Sequence, residues 1–188
     1  MTRLGLKCIM NDKKEQRKAI KERLSHMIKE ERKEFSARIA DKLLSHPFYL
    51  QARRLFIYCS TEEEADTHFI IERALSEGKS VFLPRIEGGN MAPVPYRAGD
   101  TLKKGVYGIE EPQGAPYFGE IDLAVIPLLG YDASRARLGR GKGYYDRFLS
   151  SFKGKSIALA FSVQALPKVE VERTDVRPDL ILTEKEEI

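Results

Sequence analysis

Cysteine, histidine and long apolar runs are all scarce in this chain. Only two cysteines occur among 188 residues, Cys8 and Cys59, and there is no CxxC pair. One pair in a chain of this length is not a disulfide framework. The three histidines, His26, His46 and His68, are scattered, with no HExxH and no Cys/His cluster. A zinc signature is therefore absent, and any metal should be held by oxygen, which favours Mg2+. The longest apolar run, about residues 123–129, is far short of the roughly 20 residues that cross a bilayer. Residues 11–33 are dominated by charge rather than by the apolar core of a signal segment. These shortages lead us to expect a soluble, cytoplasmic protein with no membrane partner, and a monomer.

What the chain has in quantity is apolar and charged residues, 42% and 32% respectively. That is enough for one substantial core, so a single domain spanning 1–188 is expected, and wholesale disorder is not. The net charge of +4 is partly local: residues 12–34 hold nine Lys/Arg against six Asp/Glu. A solvated helix face laced with i,i+4 pairs accounts for it. With no aromatic–basic RNA-binding signature, no nucleic-acid partner is expected.

Asp12 and Glu15 form a candidate capping box at the start of a helix whose apolar stripe is Ile20, Leu24, Met27 and Ile28. A second helix carries Phe35, Ile39 and Leu43 and stops near Pro47. Residues 54–59 (RLFIYC) read as a buried strand, 61–75 as a helix ended by Gly78, and 80–83 as a strand closed by Pro84. Pro93 and Pro95 reduce residues 90–97 to an edge strand. The run at 121–129 (IDLAVIPLL), apolar except at Asp122, is the strongest strand signal and suits a sheet buried on both faces. A helix near 144–152 and strands at 156–161 and 180–183 follow. Strands alternating with helices predict an α/β fold, a three-layer α/β/α sandwich around a mainly parallel sheet.

The segment that carries most chemistry is residues 137–146, RLGRGKGYYD. Gly139, Gly141 and Gly143 alternate with Arg140 and Lys142 between the strongest strand and a helix. Ligands of open α/β sheets bind at the carboxyl ends of strands. Glycines let backbone N–H groups approach a phosphate, and the helix start adds partial positive charge. Arg140 and Lys142 can follow charge developing on a phosphoryl group, and Asp146 can hold a magnesium ion against nucleotide phosphates. A mobile basic turn, with Asp146 serving only the helix dipole, is the competing reading. Neither GxxxxGK[ST] nor GxGxxG is present.

RLGRGKGYYD resembles the signature of the 5-formyltetrahydrofolate cyclo-ligases, also called methenyltetrahydrofolate synthetases. The resemblance extends in order through Lys13-x-x-x-Arg17, residues 59–67 (CSTEEEADT), 83–85 (LPR), 107–112 (YGIEEP) and Asp175-x-x-x-Asp179, nearly the whole chain. It implies the α/β/α sandwich and an enzyme that uses ATP and Mg2+ to convert 5-formyltetrahydrofolate to 5,10-methenyltetrahydrofolate, with ADP and phosphate as the other products. The same likeness implies ATP contacts from Lys13, Arg17 and the run Arg137, Leu138, Gly139, Arg140, Gly141, Lys142, Gly143, Tyr144 and Tyr145. It places Cys59, Glu64 and residues 140–144 against the folate, makes Asp146 and Asp175 the metal ligands, and gives Arg140, Lys142 and Tyr145 catalytic roles. A bulkier residue often occupies the family's position at Cys59.

Other readings of the same residues stay open at this level. Lys13 and Arg17 also suit an ordinary solvated face, and Asp175 a loop or capping aspartate. Glu64 closes a Thr61-x-x-Glu64 capping box, and Glu62 and Glu63 are equally acidic neighbours. A sugar-phosphate isomerase or acyl-transfer enzyme on a similar sandwich would explain a phosphate loop without ATP, and a nucleotide-sensing or RNA-binding module would explain it without chemistry.

Overall fold

The computed structural model describes residues 12–105 and 108–188. Cys8, Asn11 and Tyr107, which figured in the reading above, lie outside the described residues. Asp12 starts the first helix, α1 (Lys13–Ser25), by accepting the Lys14 N–H at 2.9 Å. Ile20 and Leu24 form its buried stripe, but the helix stops at Ser25. Ile28 falls outside the stripe, stands exposed, and begins α2 (Lys29–Ser45) instead. Pro47 does end α2, and at the same time opens the one-turn helix α3 (Pro47–Gln51), where its missing N–H costs nothing.

Six strands form the main sheet in the order β10-β9-β6-β1-β2-β3. These are β1 (Arg54–Ile57), β2 (Ser80–Glu87), β3 (Asn90–Tyr96), β6 (Leu123–Pro127), β9 (Lys155–Leu159) and β10 (Leu180–Leu182). All neighbours run parallel except the β2–β3 hairpin. β3 is the proline-bearing edge foreseen from Pro93 and Pro95, and the Pro93 carbonyl accepts from Tyr117 N on its outer side. β2, by contrast, does not close at Pro84. Its pairing with β1 ends at Phe82, and beyond that point Pro84 faces Pro93 in the antiparallel ladder, where neither residue has an N–H to place.

Alternation along each strand separates two cores. Leu55 and Ile57 of β1, Leu123 and Val125 of β6, and Ile157 and Leu159 of β9 pack with α1, α2, α3 and α4 (His68–Ser76). Phe56, Ala124, Ile126, Ala158 and Ile181 face the other way, toward Leu149 and Phe148 of α5 (Tyr144–Ser151). The result is the expected α/β/α arrangement. Two short ribbons complete it, β4 (Leu102–Lys104) with β5 (Glu110–Pro112) and β7 (Gly130–Tyr131) with β8 (Arg137–Leu138).

The helix expected over residues 61–75 begins seven residues late, at His68. Residues 61–64 form a turn, with Glu64 N donating to the Thr61 carbonyl at 3.1 Å. Thr67 Oγ1 then donates to the Tyr58 carbonyl at 2.7 Å, folding the chain back onto the end of β1. Gly78, at φ 74°, ends α4 as expected. At the opposite, amino ends of the strands, Asp179 accepts from Ser156 N and Oγ at 2.8 and 2.9 Å. Asp179 therefore ties β9 to β10 and stands away from the loops that leave the carboxyl ends.

Candidate active site

The carboxyl ends of β1 and β6 open into a cleft of about 870 Å3. After β6 the chain turns through β7 and β8, and a buried carboxylate fixes that turn. Asp132 accepts from Ser134 N, Ser134 Oγ and Ala136 N with Oδ1, and from Val169 N at 2.8 Å with Oδ2. Burial works to raise its pKa, but these hydrogen bonds outweigh it and hold Asp132 below the usual carboxylate range. β8 then delivers Arg137 and Leu138 into the glycine loop, and Gly143, with φ 67°, starts α5.

Every site residue named from the sequence lines this one cleft: Lys13, Arg17, Cys59, Glu64, residues 137–146 and Asp175. α1 places its two cations one turn apart on a single face. Arg17 Nε donates to the Gly139 carbonyl at 2.9 Å. A Cβ on Gly141, where φ is +97°, would come within 3.4 Å of the Arg17 guanidinium. Glycine at 141 thus serves both the backbone conformation and the close passage of the loop over α1. Lys13 Nζ pairs with Asp175 Oδ2 at 2.7 Å and with Glu172 at 2.8 Å, tying α1 to the 172–176 segment.

Arg137 is almost wholly buried and donates to Asp146 Oδ1 through NH2, while its Nε has no partner among the described residues. Asp146 Oδ1 also accepts Val176 N at 3.1 Å, which brings Asp146 beside the segment carrying Asp175. Among the described residues, Asp146 Oδ2 and Asp175 Oδ1 have no hydrogen-bond partner. Burial raises the Asp175 pKa, but the Lys13 hydrogen bond, Glu172 N–H and the Lys13 and Arg137 charges bring it below 3.8.

Across the cleft, Arg140 donates to Glu64 Oε1 at 3.0 Å, while Glu64 Oε2 accepts Thr61 N and Oγ1 at 2.9 and 3.1 Å. Glu64 therefore closes the local turn and faces the glycine loop with the same carboxylate. Tyr145 sits between Glu64, Arg137 and Arg140, and its phenol is pushed well up, first by burial and then by the Glu64 charge. It is a neutral hydrogen-bonding group in this setting. Lys142 is exposed, and no partner for its ammonium is found among the described residues.

The sequence reading missed the opposite wall of the cleft. Pro84, Ile86 and Met91 of the β2–β3 hairpin and Ile109 supply an apolar surface, and the buried Glu111 stands among them, with Ile86 N at 3.4 Å. Arg147, Glu172 and Arg173 were also missed. Arg147 joins hairpin to loop, donating to the carbonyls of Gly89 and Lys142 at 3.1 Å each. Among the described residues, seven cations and five acids line the cleft, a balance suited to a polyanionic ligand with a metal counter-ion.

The model of the 5-formyltetrahydrofolate cyclo-ligase family matches residues 9–184. The chain belongs to the 5-formyltetrahydrofolate cyclo-ligase family. It is 32% identical to 5-formyltetrahydrofolate cyclo-ligase of Mus musculus, over 89% of this chain and 91% of that protein. It is 26% identical to the enzyme of the same name from Escherichia coli K12, over 87% of this chain and 96% of that protein. The NMR structure of Aquifex aeolicus 5,10-methenyltetrahydrofolate synthetase superposes with a TM-score of 0.83 at 30% identity, covering 93% and 91% of the two chains. The superposition shows that the two chains share one fold. The relatives do not favour the sugar-phosphate isomerase reading.

Proposed function

We propose that this chain, as one domain over residues 1–188, converts 5-formyltetrahydrofolate to 5,10-methenyltetrahydrofolate with ATP and Mg2+, releasing ADP and phosphate. The observation that carries the reading is the convergence of Lys13, Arg17, Glu64, Arg137 to Asp146 and Asp175 on a single cleft. ATP takes the basic side, along Lys13, Arg17 and residues 137–145. The folate takes the side of Cys59, Glu64 and residues 140–144, with the apolar hairpin wall behind its ring.

An amide oxygen leaves poorly, so the formyl oxygen on N5 first attacks the γ-phosphate. N10 then attacks the activated carbon, and phosphate departs. The protein positions the reactants and neutralises charge rather than forming a covalent bond. Arg140 and Lys142 face the charge that develops on the transferred group. Arg140 is also held by Glu64, so the folate side and the phosphate side share one cation. Tyr145, kept neutral, donates a hydrogen bond at the same centre.

The residues present fit Mg2+. Asp146 and Asp175 offer hard oxygens from adjoining segments, one oxygen of each without a protein partner among the described residues. No group of three or more His, Cys, Asp or Glu side chains gathers among those residues. Phosphate oxygens and water must then complete the shell, which is how Mg2+ is ordinarily held. When bound, the ion would screen the nucleotide phosphates. The proposal includes a cytoplasmic monomer that binds neither nucleic acid nor membrane, resting on the sequence composition alone.

An isotope experiment tests the chemistry. With 18O in the formyl group, the released phosphate should carry one labelled oxygen. Unlabelled phosphate alongside the cyclised folate would rule out phosphorylation of the formyl oxygen.

A further inference from the structure

Cys59 borders the folate side of the cleft, but its thiol, with His68 and Asp66 beside it, takes no part in the bond-making steps of the cyclisation. Cys59 Sγ lies 3.8 Å from His68 Nε2, and His68 Nδ1 lies 2.7 Å from Asp66 Oδ1. A nucleophile, a base and an acid that orients the base, each within hydrogen-bonding reach of the next, is the arrangement shared by activated nucleophiles. Local hydrogen bonds build it. Asp66 Oδ1 also accepts His68 N at 2.9 Å, and Ser60 Oγ accepts Thr67 N at 3.1 Å and donates to Asp66 Oδ1 at 3.3 Å. Thr67 Oγ1 accepts Ser60 N at 3.2 Å. One imidazole nitrogen is thereby fixed on a carboxylate and the other turned toward the sulfur.

Cys59 also lies between two cavities. One is the main cleft. The other, about 400 Å3, is walled by Ile71, Leu75, Leu83 and Leu102, with Tyr96 and Glu72 at its side. Among the described residues lining that second cavity, His68 is the one that can carry positive charge. An apolar wall of this kind suits a small uncharged molecule better than an anion. The hydrogen bond to Cys59 raises the His68 pKa, burial opposes it, and Asp66 adds to the rise, bringing it to about 9. Tyr96 of β3 and Tyr145 of α5 also face Cys59, and Glu64 and Glu72 line the two cavities that it borders.

We propose that Cys59, with His68 and Asp66, is a modification site for small uncharged α,β-unsaturated carbonyl compounds that enter through the apolar cavity, and that the adduct blocks the folate side of the main cleft. His68 already holds a proton at pH 7, so the thiol proton leaves to solvent as the sulfur bonds to the β-carbon of the electrophile, and solvent later restores the proton that His68 gives up. The carbon–carbon π pair moves to the α-carbon, which takes the proton from His68. One S–C and one C–H bond form, one S–H and one π bond are lost, and nothing leaves. The second half of the proposal rests on the folate placement given above.

N-ethylmaleimide, an uncharged electrophile of this class, tests it on the full chain at pH 7, with peptide mass mapping to separate Cys59 from Cys8. Cys59 in the parent should label at least about tenfold faster than Cys59 in His68→Asn, with Asp66→Asn in between. Turnover should fall in step with the Cys59 adduct, and 5-formyltetrahydrofolate should slow labelling. Should His68→Asn melt early, Asp66→Asn carries the comparison. A native Cys59 that stays unlabelled while the denatured chain labels, or a variant that labels at the parent rate, would overturn the site. Rapid labelling with full turnover and no protection by the folate would overturn its link to the cleft, and would leave the cyclisation itself untouched.

Discussion

Arg140 and Glu64 stand 76 residues apart in the chain and meet at 3.0 Å across the cleft. The pair joins the glycine loop to the turn after β1, so each residue holds the other where the proposed phosphate and folate sites adjoin. Both oxygens of Glu64 are engaged, one by Arg140 and one by Thr61. Glu64→Gln keeps an acceptor for Thr61 but turns an amide toward Arg140 or toward the folate. Charge-assisted hydrogen bonds contribute about 1.5–3 kcal/mol. The folate dissociation constant should rise about tenfold or more, while ATP affinity and melting temperature barely move. Calorimetric titration and a melting curve on the same variant check this. Unchanged folate affinity would leave Glu64 a turn residue, and Glu63, whose carboxylate stands 4.0 Å from Arg140, would be next to test.

Lys142→Ala should lower kcat by about a hundredfold or more, because one cation is removed from the developing phosphoryl charge. The side chain is exposed, so stability should change by less than about 0.5 kcal/mol. Steady-state kinetics together with a melting curve separate the two effects. Near-normal turnover would remove Lys142 from the chemistry.

Asp146→Asn acts on two groups at once. It weakens a hard-cation ligand, and it leaves the buried Arg137 without its carboxylate partner. The Mg2+ titration of turnover should shift to higher concentration, more than the folate dissociation constant changes, and the metal-free melting temperature should fall. A magnesium titration that overlays the parent's would assign Asp146 to Arg137 alone.

The Lys13–Asp175 pair sets a pH signature. Asp175 is held below 3.8 in the folded chain, so its contribution is present above that value and is lost as pH falls through the folded pKa. Lys13 is raised above 10.5: burial lowers it, but Asp175 and Glu172 outweigh burial. Its contribution is present below 10.5 and lost as pH rises through the folded pKa. Asp175→Asn should therefore melt about 2–4 °C below the parent at neutral pH, with the gap closing as the pH is taken below 3.8. Melting curves at several pH values read this directly, and a gap that persists in acid would exclude the ion pair as its source.

The sequence made the sheet and the cleft legible to different depths. β6 was clear because 123–129 is continuously apolar, and α5 because glycines precede it and an apolar face follows. The start of α4 was not, since the acidic run at 62–64 looks like a helix start, whereas Glu64, Asp66 and Thr67 place their side chains on nearby backbone groups and hold a turn until His68. β2 was cut short at Pro84 because nothing in sequence shows a second proline facing it across a hairpin. Ribbons of two or three residues carry no periodicity to read. The glycine loop announced itself by composition. The apolar hairpin wall and Arg147 did not, because Ile86, Met91 and Arg147 become cleft residues only through long-range pairing.

The most direct measurement is the appearance of the methenyl product when the purified chain meets 5-formyltetrahydrofolate, ATP and Mg2+, followed by absorbance alongside ADP release. One ADP should form for each 5,10-methenyltetrahydrofolate, with neither product when the folate, the nucleotide or the metal is left out. A methenyl product formed without ATP, or ADP released with no methenyl absorbance, would contradict the account.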